Sequence, residues 1–109
     1  MSARSAAYQS RITGRPADIN YVVAGVKFDG FDEERGALLE AKGPGYATFV
    51  RMGGSDTAKG LVSQAERQLD ATSRKLPIEW HFAEEIAALA VIKLFKFRDV
   101  THISVIYTP

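Results

Sequence analysis

Apolar and polar positions along this chain change their spacing several times, and each change marks a new element. Ser5–Ile12 reads as a short helix with Tyr8 and Ile12 on its apolar face, ended near Gly14 and Pro16. Asn20–Ala24 is rich in β-forming residues, and a turn at Gly25 leads into a second strand, Val26–Phe31. The polar stretch Asp32–Gly36 reads as a hairpin loop before a third strand, Ala37–Lys42, which Gly43-Pro44-Gly45 breaks sharply. Tyr46–Gly54 carries no readable period. From Ser55 or Asp56, either of which can cap a helix, Ala58, Leu61, Val62, Ala65 and Leu69 recur at helical spacing. Pro77 ends that helix, and Ile78–Phe82 alternates as a strand. Ala83–Phe97 is apolar nearly all round, which predicts a helix largely buried against a sheet. Ile103–Tyr107 is a final strand. The order α-β-β-β-α-β-α-β predicts one α/β domain, equally describable as α+β, over residues 1–109, with a mixed sheet flanked by helices.

Composition narrows the picture. With 109 residues and 46 % apolar content, the chain can bury one small core. It has no cysteine, which excludes disulfide frameworks and cysteine-ligated zinc. A net charge of +1 does not announce a nucleic-acid binder, although a local basic cleft would serve one. No run reaches transmembrane length, because Lys93 and Lys96 interrupt the longest apolar stretch. The opening MSARSAAYQS has no signal-peptide core. No membrane anchor is expected.

The chemistry concentrates in VKFDGFDEERGALLEAKGPGY. Val26–Phe28 and Ala37–Leu39 each end in an acid, Asp29 and Glu40, eleven residues apart, and Lys42 follows the second. Residues two apart on a strand share a face, so Glu40 and Lys42 point the same way while Leu39 and Ala41 point into a core. Asp29 on a neighbouring strand can join them. Two carboxylates beside an ammonium group suit phosphodiester hydrolysis. The acids hold a hard divalent cation, and the lysine orients water and offsets negative charge. On this reading removal of Glu40 abolishes cleavage and, by relieving clustered negative charge, if anything helps stability.

The wider text, YQSRITG, GVKFDGFD, LLEAKGPGYATF, QAERQL, PIEWHFAE and the terminal YTP, resembles the restriction-endonuclease-like toxin domains of bacterial polymorphic toxins. The class it resembles is restriction endonuclease fold toxin 5, within the PD-(D/E)xK nuclease superfamily. The segment RPADINYVV departs from that family's usual glycine and aromatic residue before the second strand. The resemblance implies a restriction-endonuclease-like fold and a metal-dependent nuclease acting on DNA. Asp29, Glu40 and Lys42 would be catalytic, and Asp29, Glu40 and the Ala41 carbonyl would hold Mg²⁺ or Mn²⁺. It also implies the C-terminal piece of a larger secreted effector, delivered by type VI secretion with secretion-system or chaperone proteins as partners. Such an effector acts in the cytoplasm of the target bacterium and is neutralised by a cognate immunity protein.

Several residues keep two readings. Gln64 and Gln68 lie four apart on the long helix and are further catalytic candidates, touching a scissile phosphate or fixing Lys42; the alternative is a polar boundary. Gln9 could reach a metal through water. Asp32 rivals Asp29 but sits in the polar loop. His81 could be a general base or a hydrogen-bonded strand residue, and Trp80 and Phe82 read as core aromatics. Lys93, Lys96 and Arg98 could snorkel or meet nucleic acid. The rival functions are an RNase or repair nuclease on the same fold, and a non-catalytic interaction domain.

Overall fold

A computed structural model describes residues 1–109, apart from the side-chain surroundings at positions 49, 50, 52 and 53. Its elements in chain order are α1 (Ala3–Thr13), β1 (Tyr21–Val23), β2 (Val26–Phe28), β3 (Gly30–Asp32), β4 (Ala37–Lys42), α2 (Tyr46–Ala71), β5 (Ile78–Phe82), α3 (Glu85–Phe97) and β6 (Ile103–Tyr107). β3-β4-β5-β6 form a four-stranded sheet, and β1-β2 form a separate hairpin. β3 and β4 pair antiparallel, whereas β4–β5 and β5–β6 pair parallel. The helices α2 and α3 are the crossovers that parallel pairing requires. The expected mixed sheet with flanking helices is therefore present.

The expected strand Val26–Phe31 is two strands, because the chain changes partners at Asp29. Tyr21 pairs with Phe28, and the next pair, Gly30 with Leu39, belongs to the other sheet. Asp29 N–H donates to the Leu39 carbonyl at 2.9 Å, which begins the second ladder. This change leaves the Asp29 side chain at a junction rather than along a strand. α1 closes over it, and a Cβ at Gly30 would stand 2.8 Å from the Thr13 side chain, so glycine there permits the approach.

Parallel partners share a face, so Leu38, Glu40 and Lys42 lie with Ile78, Trp80 and Phe82. That face carries the principal core, built with Leu61, Ala65 and Leu69 of α2 and Ala87, Ala88, Val91 and Phe95 of α3. The expectation that Glu40 and Lys42 face away from the core is corrected here. Leu39 is buried too, but on the α1 side. α2 kinks at Gly54, whose φ of 55° and ψ of −139° suit a residue without a Cβ. The kink explains why periodicity became legible only from Ser55. α3 begins two residues after the expected Ala83, and only one of its faces is buried. Ile86 (65 % exposed), Leu89 and Phe97 point to solvent, against the expectation of a largely buried helix.

Candidate active site

Asp29, Glu40, Ala41 and Lys42 line one cleft of about 470 Å³, together with Gln9 of α1 and Tyr46 at the start of α2. The β4 ladder explains the convergence. The Lys42 carbonyl accepts from Ala83 N–H on the β5 side, and strand geometry turns the preceding residue's main-chain groups to the other edge. Ala41 N–H accordingly donates to Asp29 Oδ2 at 2.7 Å. The Ala41 carbonyl shares that edge with Asp29. Burial first, and then the Glu40 charge, push Asp29 from 3.8 up to about 6, against the opposing pull of Ala41 N–H and Lys42.

Glu40 and Lys42 are held from behind by side chains that are mutually satisfied. Lys42 Nζ lies 3.0 Å from Glu40 Oε2 and donates to Gln64 Oε1 at 2.7 Å. Gln64 Nε2 donates to the same Glu40 oxygen at 2.9 Å, and Gln68 Nε2 donates to Glu40 Oε1 at 3.2 Å. Trp80 Nε1 closes the network on Gln68 Oε1 at 2.8 Å. The donor inventory fixes both amides. Lysine and indole can only donate, so each glutamine presents its oxygen to one of them and keeps its N–H groups for Glu40. Lys42 Nζ also sits 4.8 Å from the centroid of the Trp80 ring and 5.3 Å from that of Tyr46, within cation–π range. Glu40 and Lys42 are each 7 % exposed, and Gln68 is 1 % exposed. A buried ion pair survives at this depth only when its remaining lone pairs and protons find partners, which these do.

The other candidates fall elsewhere. Gln64 and Gln68 are outside the lining of the Asp29 cleft and act on it through Glu40 and Lys42. Gln9 lines the cleft but spends its amide N–H on the Ala17 carbonyl at 3.1 Å. Asp32 ends β3 rather than sitting in the expected loop, and it braces the turn that follows, accepting from Arg35 N–H and pairing with its guanidinium at 2.8 Å. His81 lies on the opposite face of the sheet, 2.9 Å from Glu79 and 2.8 Å from Thr108 Oγ1. Trp80 and Phe82 are core residues, as expected, and Lys93, Lys96 and Arg98 are exposed far along the chain from the cleft residues. Sequence reasoning missed Tyr46, the hydrogen-bonding role of Trp80, and Glu84, whose Oε1 accepts from Ala47 N–H at 2.8 Å and so caps α2. A tryptophan facing the same side as an acid was a signal for the second of these, once the strand register was known.

The residues present fit a hard divalent cation. Asp29 Oδ1 has no hydrogen-bond partner among the described residues, and the Ala41 carbonyl faces the same edge. Among those residues no group of three or more His, Asp or Glu side chains converges. Two carboxylates and a main-chain oxygen, with room for water, would suit Mg²⁺ rather than zinc.

An acid at a strand junction and an E-x-K on the adjoining strand of a mixed sheet, flanked by helices, define a restriction-endonuclease-like fold. The family model for restriction endonuclease fold toxin 5 matches residues 5–85, and the chain belongs to that family. Membership makes it a restriction-endonuclease-fold toxin domain and implies a nuclease toxin. No curated protein matches the chain. Among the described residues no helix is long and apolar enough to cross a membrane.

Proposed function

We infer that this domain is a metal-dependent endonuclease that hydrolyses DNA phosphodiester bonds, with Asp29, Glu40 and Lys42 as its catalytic residues. The observation that carries the reading is the convergence of those three side chains on one cleft, in a chain of a restriction-endonuclease-fold toxin family. Asp29, Glu40 and the Ala41 carbonyl would hold Mg²⁺ or Mn²⁺. When bound, the cation supplies a Lewis acid for the phosphate and lowers the pKa of a water. Lys42 donates toward the attacking water and offsets charge growing on the phosphate. Gln64 and Gln68 position Lys42 and Glu40, so that neither has to reorganise when substrate arrives. Gln9 and Tyr46 line the approach.

Family membership supports a wider role as an antibacterial effector. On this reading the domain is the C-terminal piece of a larger polypeptide, delivered by type VI secretion into the cytoplasm of a target cell. A cognate immunity protein would silence it in the producer. Cleavage of single-stranded and plasmid DNA with and without chelator, beside an RNA of equal length, tests the activity. Cleavage of DNA that needs Mg²⁺ and falls at least about a hundredfold in Lys42→Met is expected, and cleavage that persists in chelator would overturn the reading. A preference for RNA would move the substrate but keep the site. Expression in bacteria should arrest growth for the wild type and spare it for the Asp29→Ala, Glu40→Ala, Lys42→Ala triple variant at equal protein levels.

A further inference from the structure

A second cleft, of about 220 Å³, meets the first at Asp29, which lines both. We propose that this second cleft, formed by Arg15, Asn20, Tyr21, Phe31 and Glu33, takes a nucleobase, and that the domain therefore works on single-stranded nucleic acid. The inference rests on the nuclease reading above and deepens it.

Three observations carry it. The first is an aromatic platform. The rings of Tyr21 and Phe31 are stacked at 5.1 Å between centroids and 16° between planes. Phe31 packs against the core and backs the pair, while Tyr21 stays 44 % exposed. A ring held from behind with an accessible surface can receive a base at little entropic cost. The second is position. Tyr21 pairs with Phe28, the residue before Asp29, and Phe31 is two residues after it. A base on the platform thus belongs to a nucleotide next to the phosphate at Asp29.

The third is charge. Asp29 and Glu33 both line this cleft, and two carboxylates repel a phosphate. What fits is an uncharged heterocycle. Asn20 and Glu33 can take hydrogen bonds from the edge of a base, as amide and carboxylate side chains do, and Arg15 is available to an adjoining phosphate. Inside a duplex every base face is already stacked, so only an unpaired or extruded base reaches Tyr21. A single strand meets no such cost.

The test measures binding and cleavage separately. Anisotropy of labelled 12-mers is followed in chelator for single-stranded DNA, single-stranded RNA and duplex DNA. Wild type should bind a single strand at least about tenfold more tightly than duplex. Tyr21→Leu keeps an apolar side chain on β1 but removes the ring, and should lose about tenfold in single-strand affinity with duplex binding unchanged. Tyr21→Phe should retain wild-type affinity. Should Tyr21→Leu fail to fold, Tyr21→Trp gives an independent reading, because single strands should quench the new emission and duplex should not. In Mg²⁺, Tyr21→Leu should raise KM with kcat within about twofold. Equal affinity for duplex and single strand, or unchanged affinity in Tyr21→Leu, overturns the proposal. Ring-dependent single-strand binding without chelator-sensitive cleavage leaves the base site standing and removes the nuclease reading. Cleavage that prefers duplex and ignores Tyr21 does the reverse.

Discussion

Two neighbouring strands carry the same local pattern, an acid followed two residues later by a basic side chain: Glu40 and Lys42 on β4, Glu79 and His81 on β5. The sheet sends them to opposite faces. Glu40–Lys42 points under α2, where Gln64, Gln68 and Trp80 satisfy it and a second acid, Asp29, adjoins it at the cleft. Glu79–His81 points the other way, into a network with Arg35 and Thr108. Burial pushes Glu79 up, but two hydrogen bonds from Arg35 and one from His81 outweigh it and hold the carboxyl below its ordinary range. That pair belongs to a hydrogen-bonded network nearer solvent, whose second acid, Asp32, is already paired with Arg35. Residue types and spacing are therefore insufficient to mark a site. What separates the two is a neighbouring carboxylate without a committed cation, and a buried scaffold behind the pair.

The largest effect should come from Glu40→Ala. The expectation from sequence was that losing this charge would help stability. The structure reverses it, because alanine leaves the Lys42 ammonium and the N–H groups of Gln64 and Gln68 buried without their acceptor. A loss of about 3–5 kcal/mol is expected in denaturant titration, together with loss of cleavage. Unchanged stability would mean that the network contributes little. Lys42→Met keeps the apolar stem between Tyr46 and Trp80 and should lower kcat by about 10²–10³ while Mg²⁺ still binds in calorimetry. Arginine here should rescue weakly, since its planar head does not fit a box built for an ammonium.

Smaller effects sharpen the contrast. Gln68→Leu strands the Trp80 N–H and one contact to Glu40, so about 1–3 kcal/mol of stability should go. Its kcat should fall about 10–100-fold with KM unchanged, which separates positioning from substrate binding. Asp29→Asn gives a pH signature in chelator. Folding raises the Asp29 pKa from 3.8 to about 6, so the folded protein holds a proton that the unfolded chain has released. Stability tied to that proton is complete below about pH 4 and is lost as pH rises toward 6. The melting temperature of Asp29→Asn, relative to wild type, should rise across that window. A flat difference would mean that Asp29 carries no such strain.

Much of the fold was legible because its cues are local. Gly14, Gly25, Gly43-Pro44-Gly45 and Pro77 punctuate the chain where elements end, and Ile78–Phe82 alternates over its whole length. The kink at Gly54 was hidden because backbone torsion at a glycine leaves no trace in hydrophobic spacing. Outer-face exposure of α3 was hidden as well, since Ile86 and Leu89 read like core residues until the sheet's width is known. At the candidate site, Asp29, Glu40 and Lys42 were singled out from spacing and resemblance, and the structure places all three on one cleft. The face they occupy could not be read, because it depends on the parallel register of β4 with β5, a contact between distant stretches of chain. The role of Trp80 follows from that same register.

The two acids can be set against each other in a single measurement: Mg²⁺-dependent cleavage of a DNA substrate by Glu40→Gln and Glu79→Gln, assayed side by side with wild type. Both substitutions remove one charge and keep the side-chain shape. Glu40→Gln should be silent, while Glu79→Gln should cleave within about threefold of wild type, in line with a network whose contribution is structural. Wild-type cleavage by Glu40→Gln, or equal loss in the two variants, would contradict the assignment of the site to β4.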